Sequence, residues 1–332
     1  KDVVKKQVEV GIDIVNDGEM AKIGYATYVK DRLTGFEGEG AFPAMTDMAG
    51  FPECAQRLGV ELSHTHMRTP SCTGPIQLRD GDGIQKDIQV FMAAKAEVEA
   101  TDYFMTAASP GVVALFLQNQ HYPSHEAYLY AIAEAMKPEY EAIAAAGLVL
   151  QLDCPDLAVG RHTQFADKSL EEFQKLVQLH MEALDYATGK IAPEQLRLHL
   201  CWGNYAGPHL KDVGLRDIIE PVLKGRPTAI SFEAANPRHQ HEYKVFQDVK
   251  LPDGKTIIPG VIDSTTNYVE HPEVVADRLV RFGRLVGKEN VMAGGDCGFA
   301  TFAGHQPVDS NAVWAKFQAM DEGARLASAE LR

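Results

Sequence analysis

Leu196-Arg197-Leu198-His199-Leu200-Cys201 alternates leucine with polar or sulfur-bearing side chains. Alternation with a period of two is the mark of a strand with two unlike faces. Leu198, Leu200 and Trp202 fall on one face, and His199 and Cys201 on the other. Upstream lies the clearest helix, from Ser169 to Thr188. Ser169 and Glu172 have capping-box spacing, Leu170, Phe173, Val177, Met181 and Leu184 form an apolar stripe, and Gly189 is the stop. The same strand-then-helix rhythm extends both ways. Strands are expected at 11–16, 102–107, 147–153, 228–233, 257–263 and 291–296. Helices are expected at 1–10, 124–146 (interrupted near Pro138), 212–224, 237–248, 272–286 and 310–330. Strands alternating with helices predict a parallel sheet with crossover helices. Seven strands are one fewer than a closed (β/α)8 TIM barrel. The expectation is a barrel whose first strand lies upstream of Lys1; an open sheet is the alternative. Bare sheet edges would then favour poor solubility or a swapped homo-oligomer.

The 332 residues are read as one catalytic barrel, 1–332. Residues 36–95 break the rhythm. They are rich in Gly, Pro, Phe and Met, carry Cys54, His64, His66 and Cys72, and are read as an insertion. Within it, 73–79 reads as a short extended piece and 83–98 as a helix. A loop this long is usually functional, and 36–70 is expected as a lid over the barrel mouth, with a plain surface insertion as the alternative.

Hydrophobic residues make up 45% and charged residues 23%, a globular balance. No run of about 18 apolar residues predicts a membrane span. Lys1 to Lys6 is basic, but no apolar segment of a signal peptide follows, so a cytoplasmic location is expected. The net charge of -14 argues against a nucleic-acid partner. The five cysteines are odd in number and widely spaced, unlike a disulfide framework. No GxGxxG follows a strand, and GxxxxGK[ST], GxSxG and HExxH are absent. His239 and His241 would lie on different helix faces and are read as solvated.

The chemistry-bearing residues collect at the C-terminal ends of the expected strands. Asp17 and Glu19 follow the first, Asp153 ends the third, and His199 and Cys201 end the fourth. Glu233, Asp263 and the pair Asp296 and Cys297 end the last three. In a barrel these ends meet on one face, where active sites sit. One imidazole and one thiolate side by side are two corners of a tetrahedral zinc site, and Glu233 and Cys297 can supply the others. Taken alone, His-x-Cys is a weak motif and equally fits a buried core. Singly, Asp17 also fits a turn, Asp153 a loop cap and Asp263 an N-cap.

Together these residues resemble the C-terminal catalytic barrel of cobalamin-independent methionine synthase and its short single-barrel relatives. The likeness runs from Gly11-Ile12-Asp13-Ile14-Val15-Asn16-Asp17-Gly18-Glu19 to Cys297-Gly298-Phe299-Ala300-Thr301 and is thinnest over 36–95. In that family a His-x-Cys pair, a Glu on the next strand and a Cys in an Asp-Cys-Gly turn hold zinc. His199-Leu200-Cys201, Ser231-Phe232-Glu233 and Asp296-Cys297-Gly298 match in order and strand placement. The resemblance implies a (β/α)8 barrel, Zn2+ as cofactor, and metal ligands His199, Cys201, Glu233 and Cys297. It also implies that Glu19 and Asp153, with Asp17 beside them, hold the amino group of a homocysteine-like thiol. The implied reaction is transfer of a methyl group from a 5-methyltetrahydrofolate-type donor to a thiol on zinc.

The sequence departs from the family on the donor side. Asp263-Ser264-Thr265-Thr266-Asn267 carries Thr265 where a proton-donating His is expected. Asp263 and Thr265 are therefore the catalytic candidates there, and Phe116 stands near the expected pterin-stacking Trp. His64, His66 and Tyr205 are further proton-donor candidates. Epoxyalkane:coenzyme M transferases, which add a thiol to an epoxide, use the same zinc set, and Cys201-Trp202-Gly203-Asn204-Tyr205 looks more like these small relatives. Thiol addition to an epoxide is the alternative function. Two further readings are a metal-free decarboxylase of the uroporphyrinogen type, which needs no cysteine pair, and a barrel with a structural zinc. Partners are expected to be a small thiol and a small alkyl donor.

Overall fold

A computed structural model describes residues 1–63, 68–79 and 81–332. His64 and His66 lie outside the described residues. The strands are β1 (Ile14–Asn16), β2 (Phe36–Glu37), β3 (Ser71–Cys72), β4 (Asp102–Ala108), β5 (Val149–Asp153), β6 (Leu196–Leu200), β7 (Ala229–Phe232), β8 (Thr256–Ile262) and β9 (Gly294–Gly295). The helices are α1 (Asp2–Glu9), α2 (Val29–Arg32), α3 (Pro52–Ser63), α4 (Asp82–Lys95), α5 (Pro110–Phe116), α6 (His125–Ala145), α7 (Leu170–Ala187), α8 (Leu215–Lys224), α9 (Pro272–Val286) and α10 (Ser310–Glu330).

Seven strands form one sheet in the order β1-β4-β5-β6-β7-β8-β9, every neighbouring pair parallel. These are the seven strands read from the sequence, and the architecture is that of a (β/α)8-type barrel. The described sheet has one strand fewer than a closed barrel and ends at β1 and β9. It curls strongly. β6 and β9 are three strand spacings apart, roughly 14 Å in a flat sheet, yet Cys201 after β6 and Cys297 after β9 bring their sulfurs to 3.1 Å. The core lies between strands and helices, with Leu150, Leu152, Leu198, Leu200, Ile230 and Phe232 fully buried. This is the face of β6 that carries leucine, and the opposite face turns inward.

Local chemistry explains the helix ends. Ser169 Oγ accepts from the Glu172 N–H, and Glu172 returns a bond to the Ser169 N–H, so α7 starts where its capping box predicts. Two expectations need correction. Helix α6 is not interrupted near Pro138 but runs through it. Its buried Ala135, Met136, Glu139 and Tyr140 hold the turn against the core. Pro138 itself is exposed, so Pro138→Ala restores a backbone donor and is expected to stabilise the protein by about 1 kcal/mol. Urea unfolding of the two proteins checks this. Residues 237–248 form only a short 3-10 turn, Glu242–Gln247. The Asn236 side chain takes the Arg238 and His239 N–H groups, and Glu242 is drawn inward to the Leu215 N–H, so the backbone does not wind as an α-helix.

The 36–95 segment contains β2, β3, α3 and α4, with β2 and β3 antiparallel. Residues 73–79 run beside 32–35, with Leu78 bridged antiparallel to Leu33, and α4 spans 82–95 rather than 83–98. The segment is tied to the C-terminal side of the barrel. Thr46 Oγ1 donates to the His162 carbonyl, and Lys211 Nζ donates to the Thr46 carbonyl, both at 2.8 Å. All five cysteines are free thiols. Among the described residues, no helix is long and apolar enough to cross a membrane.

Candidate metal and substrate site

His199 and Cys201 leave β6 on its inward face. His199 Nδ1 pairs with Ser231 Oγ at 3.1 Å, and Nε2 is buried without a partner. With Nδ1 donating to Ser231, Nε2 carries the bare lone pair a metal ligand needs. Cys201 Sγ accepts the Gly203 N–H at 3.2 Å. Cys297 arrives from the turn after β9. The ligand atoms of His199, Cys201 and Cys297 all lie within 4.8 Å of one another. Glu233 stands beside this trio, with Oε1 at 3.8 Å from Cys297 Sγ. Its carboxylate is engaged elsewhere: Oε1 accepts the Trp202 N–H and Oε2 the Asn236 amide, each at 2.7 Å.

Asp296 holds the two loops together. Its carboxylate is 2% exposed and accepts the N–H groups of Ala234, Ala235 and Asn236, all at 2.8 Å, plus the Asn236 amide at 3.0 Å. The loop after β7, which carries Glu233, is thereby fixed to the turn that carries Cys297. A Cβ on Gly260 would stand 2.0 Å from Asp296 Oδ1, so this packing requires glycine there.

The electrostatics favour a cation. Burial, helped by Arg197, pushes His199 down to about 4, so its imidazole is neutral at pH 7. The Cys297 hydrogen bond draws Cys201 down, but burial and Glu233 outweigh it and raise the thiol to about 11. Cys297 is raised by its bond to Cys201 and by burial. Without a positive charge the cluster keeps its protons. Two sulfurs and a bare imidazole nitrogen, with a carboxylate at the edge, suit zinc rather than the oxygen-seeking magnesium or calcium. The orphaned His199 Nε2 and the donor set therefore fit a zinc ion.

The cluster opens on a cavity of about 830 Å³ that runs from the inner face of the sheet out to Gln7 of α1 and to Trp314 and Phe317 of α10. Glu19 and Asp153 line it. Glu19, at φ 53°, accepts Thr106 Oγ1 at 2.6 Å and Lys22 Nζ at 3.1 Å. Asp153 Oδ1 accepts the Gln151 amide at 2.9 Å. Burial, then Glu19, pushes the Asp153 carboxyl up to about 7. Asp17 is not in the lining; its Oδ1 accepts the Glu19 N–H at 3.0 Å and sets the turn that presents Glu19. Phe116 belongs to an aromatic wall with Tyr25, Phe42 and Phe302, at ring-centre distances of 5.8, 5.5 and 6.2 Å.

Asp263 and Thr265 are placed apart from this cavity. They line a second one of about 530 Å³, with Glu233, Asn236, Arg238 and His209. Both Asp263 oxygens are taken by its own loop, Oδ1 by Thr265 and Oδ2 by Thr266. Tyr205 lines both cavities, but its hydroxyl is bound to Asp47 at 2.6 Å. His239, expected in solvent, is 2% exposed. It bonds Asp212 at 2.8 Å and stacks on Trp202 at 4.0 Å, whereas His241 is exposed as expected. Burial lowers the His239 pKa, but Asp212 and Glu242 outweigh it and bring the imidazole to about 9. Sequence reading missed Lys22 and Arg197, and placed Asp296 at a strand end without its role. Arg197 had a signal, since it stands two residues before His199 in the alternating strand. Thr106, which Lys22 bonds, is 84 residues away, and the loop that Asp296 holds is 60 or more residues away, so neither contact left a signal.

The family described as "Cobalamin-independent synthase, Catalytic domain" matches residues 106–318. A 2-hydroxypropyl-CoM lyase of Xanthobacter autotrophicus is 22% identical, over 99% of this chain and 84% of that protein. A methionine synthase of Saccharolobus islandicus is also 22% identical, over 99% and 83%. A solved B12-independent methionine synthase from Shewanella sp. W3-18-1, in complex with selenomethionine, superposes with a TM-score of 0.75 at 19% identity, covering 99% of this chain and 86% of that one.

Proposed function

The chain belongs to the cobalamin-independent synthase catalytic-domain family, and from that premise we propose that it transfers a methyl group to a small thiol, using zinc held by His199, Cys201, Cys297 and Glu233. The observation that carries this reading is the meeting of the bare His199 Nε2 with the two sulfurs at a cavity large enough for a small substrate. When bound, zinc supplies the positive charge that keeps a substrate thiol deprotonated at neutral pH. Ser231 orients His199, and Asp296 fixes the loops of Glu233 and Cys297. Glu233, which accepts the Trp202 N–H and the Asn236 amide, would be the outermost of the four residues that hold the zinc. Glu19 and Asp153 receive an ammonium group on the thiol. Phe42, Pro43, Met45 and Leu58 of the inserted segment line the cavity and act as its lid, excluding water.

Addition of the thiol to an epoxide is the second reading. The aromatic wall around Phe116 and the absence of an imidazole at Thr265 favour it, since an epoxide needs an apolar pocket and no pterin-directed donor. Zinc-edge absorption spectra of the zinc-loaded protein, before and after homocysteine or coenzyme M, test both. A new sulfur neighbour with homocysteine alone supports methyl transfer, and with coenzyme M alone supports the epoxide reaction. No new sulfur with either sinks thiol activation.

A pH dependence follows from Asp153. It attracts an ammonium only when ionised, and its carboxyl titrates at about 7. Affinity for an amino thiol is therefore expected to rise as pH increases through about 7. Asp153→Asn should flatten that rise and leave a thiol without an amino group unaffected. Calorimetric titration between pH 6 and pH 8 reads both.

A further inference from the structure

Strand β6 presents Arg197, His199 and Cys201 in a row on its inward face. Arg197 lies roughly 7 Å below His199, one two-residue repeat toward the N-terminal end of the barrel. Its register neighbours are Gln151 on β5 and Ala229 on β7, and its side chain lines the 830 Å³ cavity. A guanidinium is charged at any working pH, so enclosing it calls for a counter-charge.

Arg197 has none. Among the described residues no carboxylate forms an ion pair with it, and no acceptor takes a hydrogen bond from it. Its Nε is buried and unpartnered. The face of its guanidinium covers the Phe104 ring at 4.3 Å, which leaves the N–H edges for another group. Asp153, one repeat up the neighbouring strand, is turned onto Gln151. Lys22, Arg32 and Lys316 are neutralised by Glu19, Asp87 and Glu270, and the half-buried Arg226 and Arg278 donate to backbone carbonyls; Arg197 has neither kind of partner. The same region leaves Gln151 Oε1 without a partner.

We propose that Arg197 is an anion-binding residue for the substrate, holding a carboxylate or sulfonate on the thiol whose sulfur reaches His199, Cys201 and Cys297. This rests on the thiol-activation reading. It narrows the substrate class to short thiols with an anionic end. A carboxylate source is an amino-acid thiol, whose ammonium then meets Glu19 and Asp153. A sulfonate source brings no ammonium and leaves Glu19 to Lys22 and Thr106 and Asp153 to Gln151.

The test is calorimetric titration of zinc-loaded wild type, Arg197→Met and Arg197→Lys with two matched pairs of ligands. The pairs are homocysteine with its methyl ester, and 2-mercaptoethanesulfonate with 2-mercaptoethanol. In one pair, Arg197→Met is expected to weaken the anionic member roughly 10- to 100-fold, the scale of a charge-assisted hydrogen-bond pair. It should leave the member that lacks the anionic group unchanged, and Arg197→Lys should recover part of the loss. The pair that responds names the source. The methionine variant should melt no lower than wild type, because it removes an unpaired charge. Equal binding by wild type of the members with and without the anionic group overturns the proposal, as does equal weakening of both by Arg197→Met. If no thiol binds at all, the thiol-activation reading fails separately. Ethanesulfonate and 2-aminobutyrate then test the anion site alone: binding lost in Arg197→Met supports it, and no binding to wild type overturns it.

Discussion

Cys297→Ser is expected to lose zinc under dialysis against a chelator that leaves wild type with one zinc per chain. Apparent binding free energies at four-ligand zinc sites are about 10–16 kcal/mol, so one lost donor costs roughly 3 kcal/mol, on the order of 100-fold in affinity. Thiol alkylation should fall further, by about 10³-fold, because the charge at the reacting sulfur changes together with occupancy. The metal-free variant should keep its fold. Serine is close in size to cysteine, so the substitution leaves the packing of the turn in place. Cys201→Ser should behave alike. Ser231→Ala, which removes the partner of His199 Nδ1 and no direct ligand, should cost only about 10-fold in zinc affinity. Elemental analysis and chelator competition read all three. Zinc absent from folded wild type, or retained at full affinity by Cys297→Ser, would overturn the metal assignment.

Asp296→Ala is expected to cost about 3–6 kcal/mol of stability. The carboxylate receives three backbone N–H groups and one amide, and alanine leaves these donors in a buried site without an acceptor, at about 1–3 kcal/mol each. Asp296→Asn keeps one acceptor oxygen and should cost about half as much. Gly260→Ala should reproduce part of the effect, because its Cβ would collide with Asp296 Oδ1. Zinc affinity should fall with stability, since Asp296 fixes both Cys297 and the loop that follows Glu233. Denaturant unfolding at constant m-value measures the loss. A change under about 1 kcal/mol in Asp296→Ala would show that the four donors find other acceptors.

Much of the fold was legible because its signals are local. The alternation of 196–201, the capping box at Ser169 and Glu172, and the strand-helix spacing depend only on neighbours along the chain. They gave the seven strands and most helix positions. The errors arose where a distant contact overrode a local preference. Pro138 should break a helix, but the buried side chains around it keep the turn wound. Residues 237–248 have helical periodicity, but Asn236 and Glu242 bind backbone groups that a helix would need.

By itself, the sequence determined which residues stand at the ends of the parallel strands, because a period of two fixes the shared face of His199 and Cys201. It also placed Glu233, Cys297, Glu19 and Asp153 one per strand end. Only the tertiary structure decided how these groups face one another. Sheet curvature brings Cys201 to Cys297 across 96 residues, and no pattern along the chain encodes that distance. The structure also separated residues that looked equivalent. Glu19 faces the cavity while Asp17 shapes its turn, and Asp263 is taken up by its own loop while Asp153 lines the cavity. Asp296 binds the β7 loop, and Arg197 stays unpaired. Each outcome depends on which donors and acceptors meet after folding, a property of surroundings assembled from several strands and not of the residue alone.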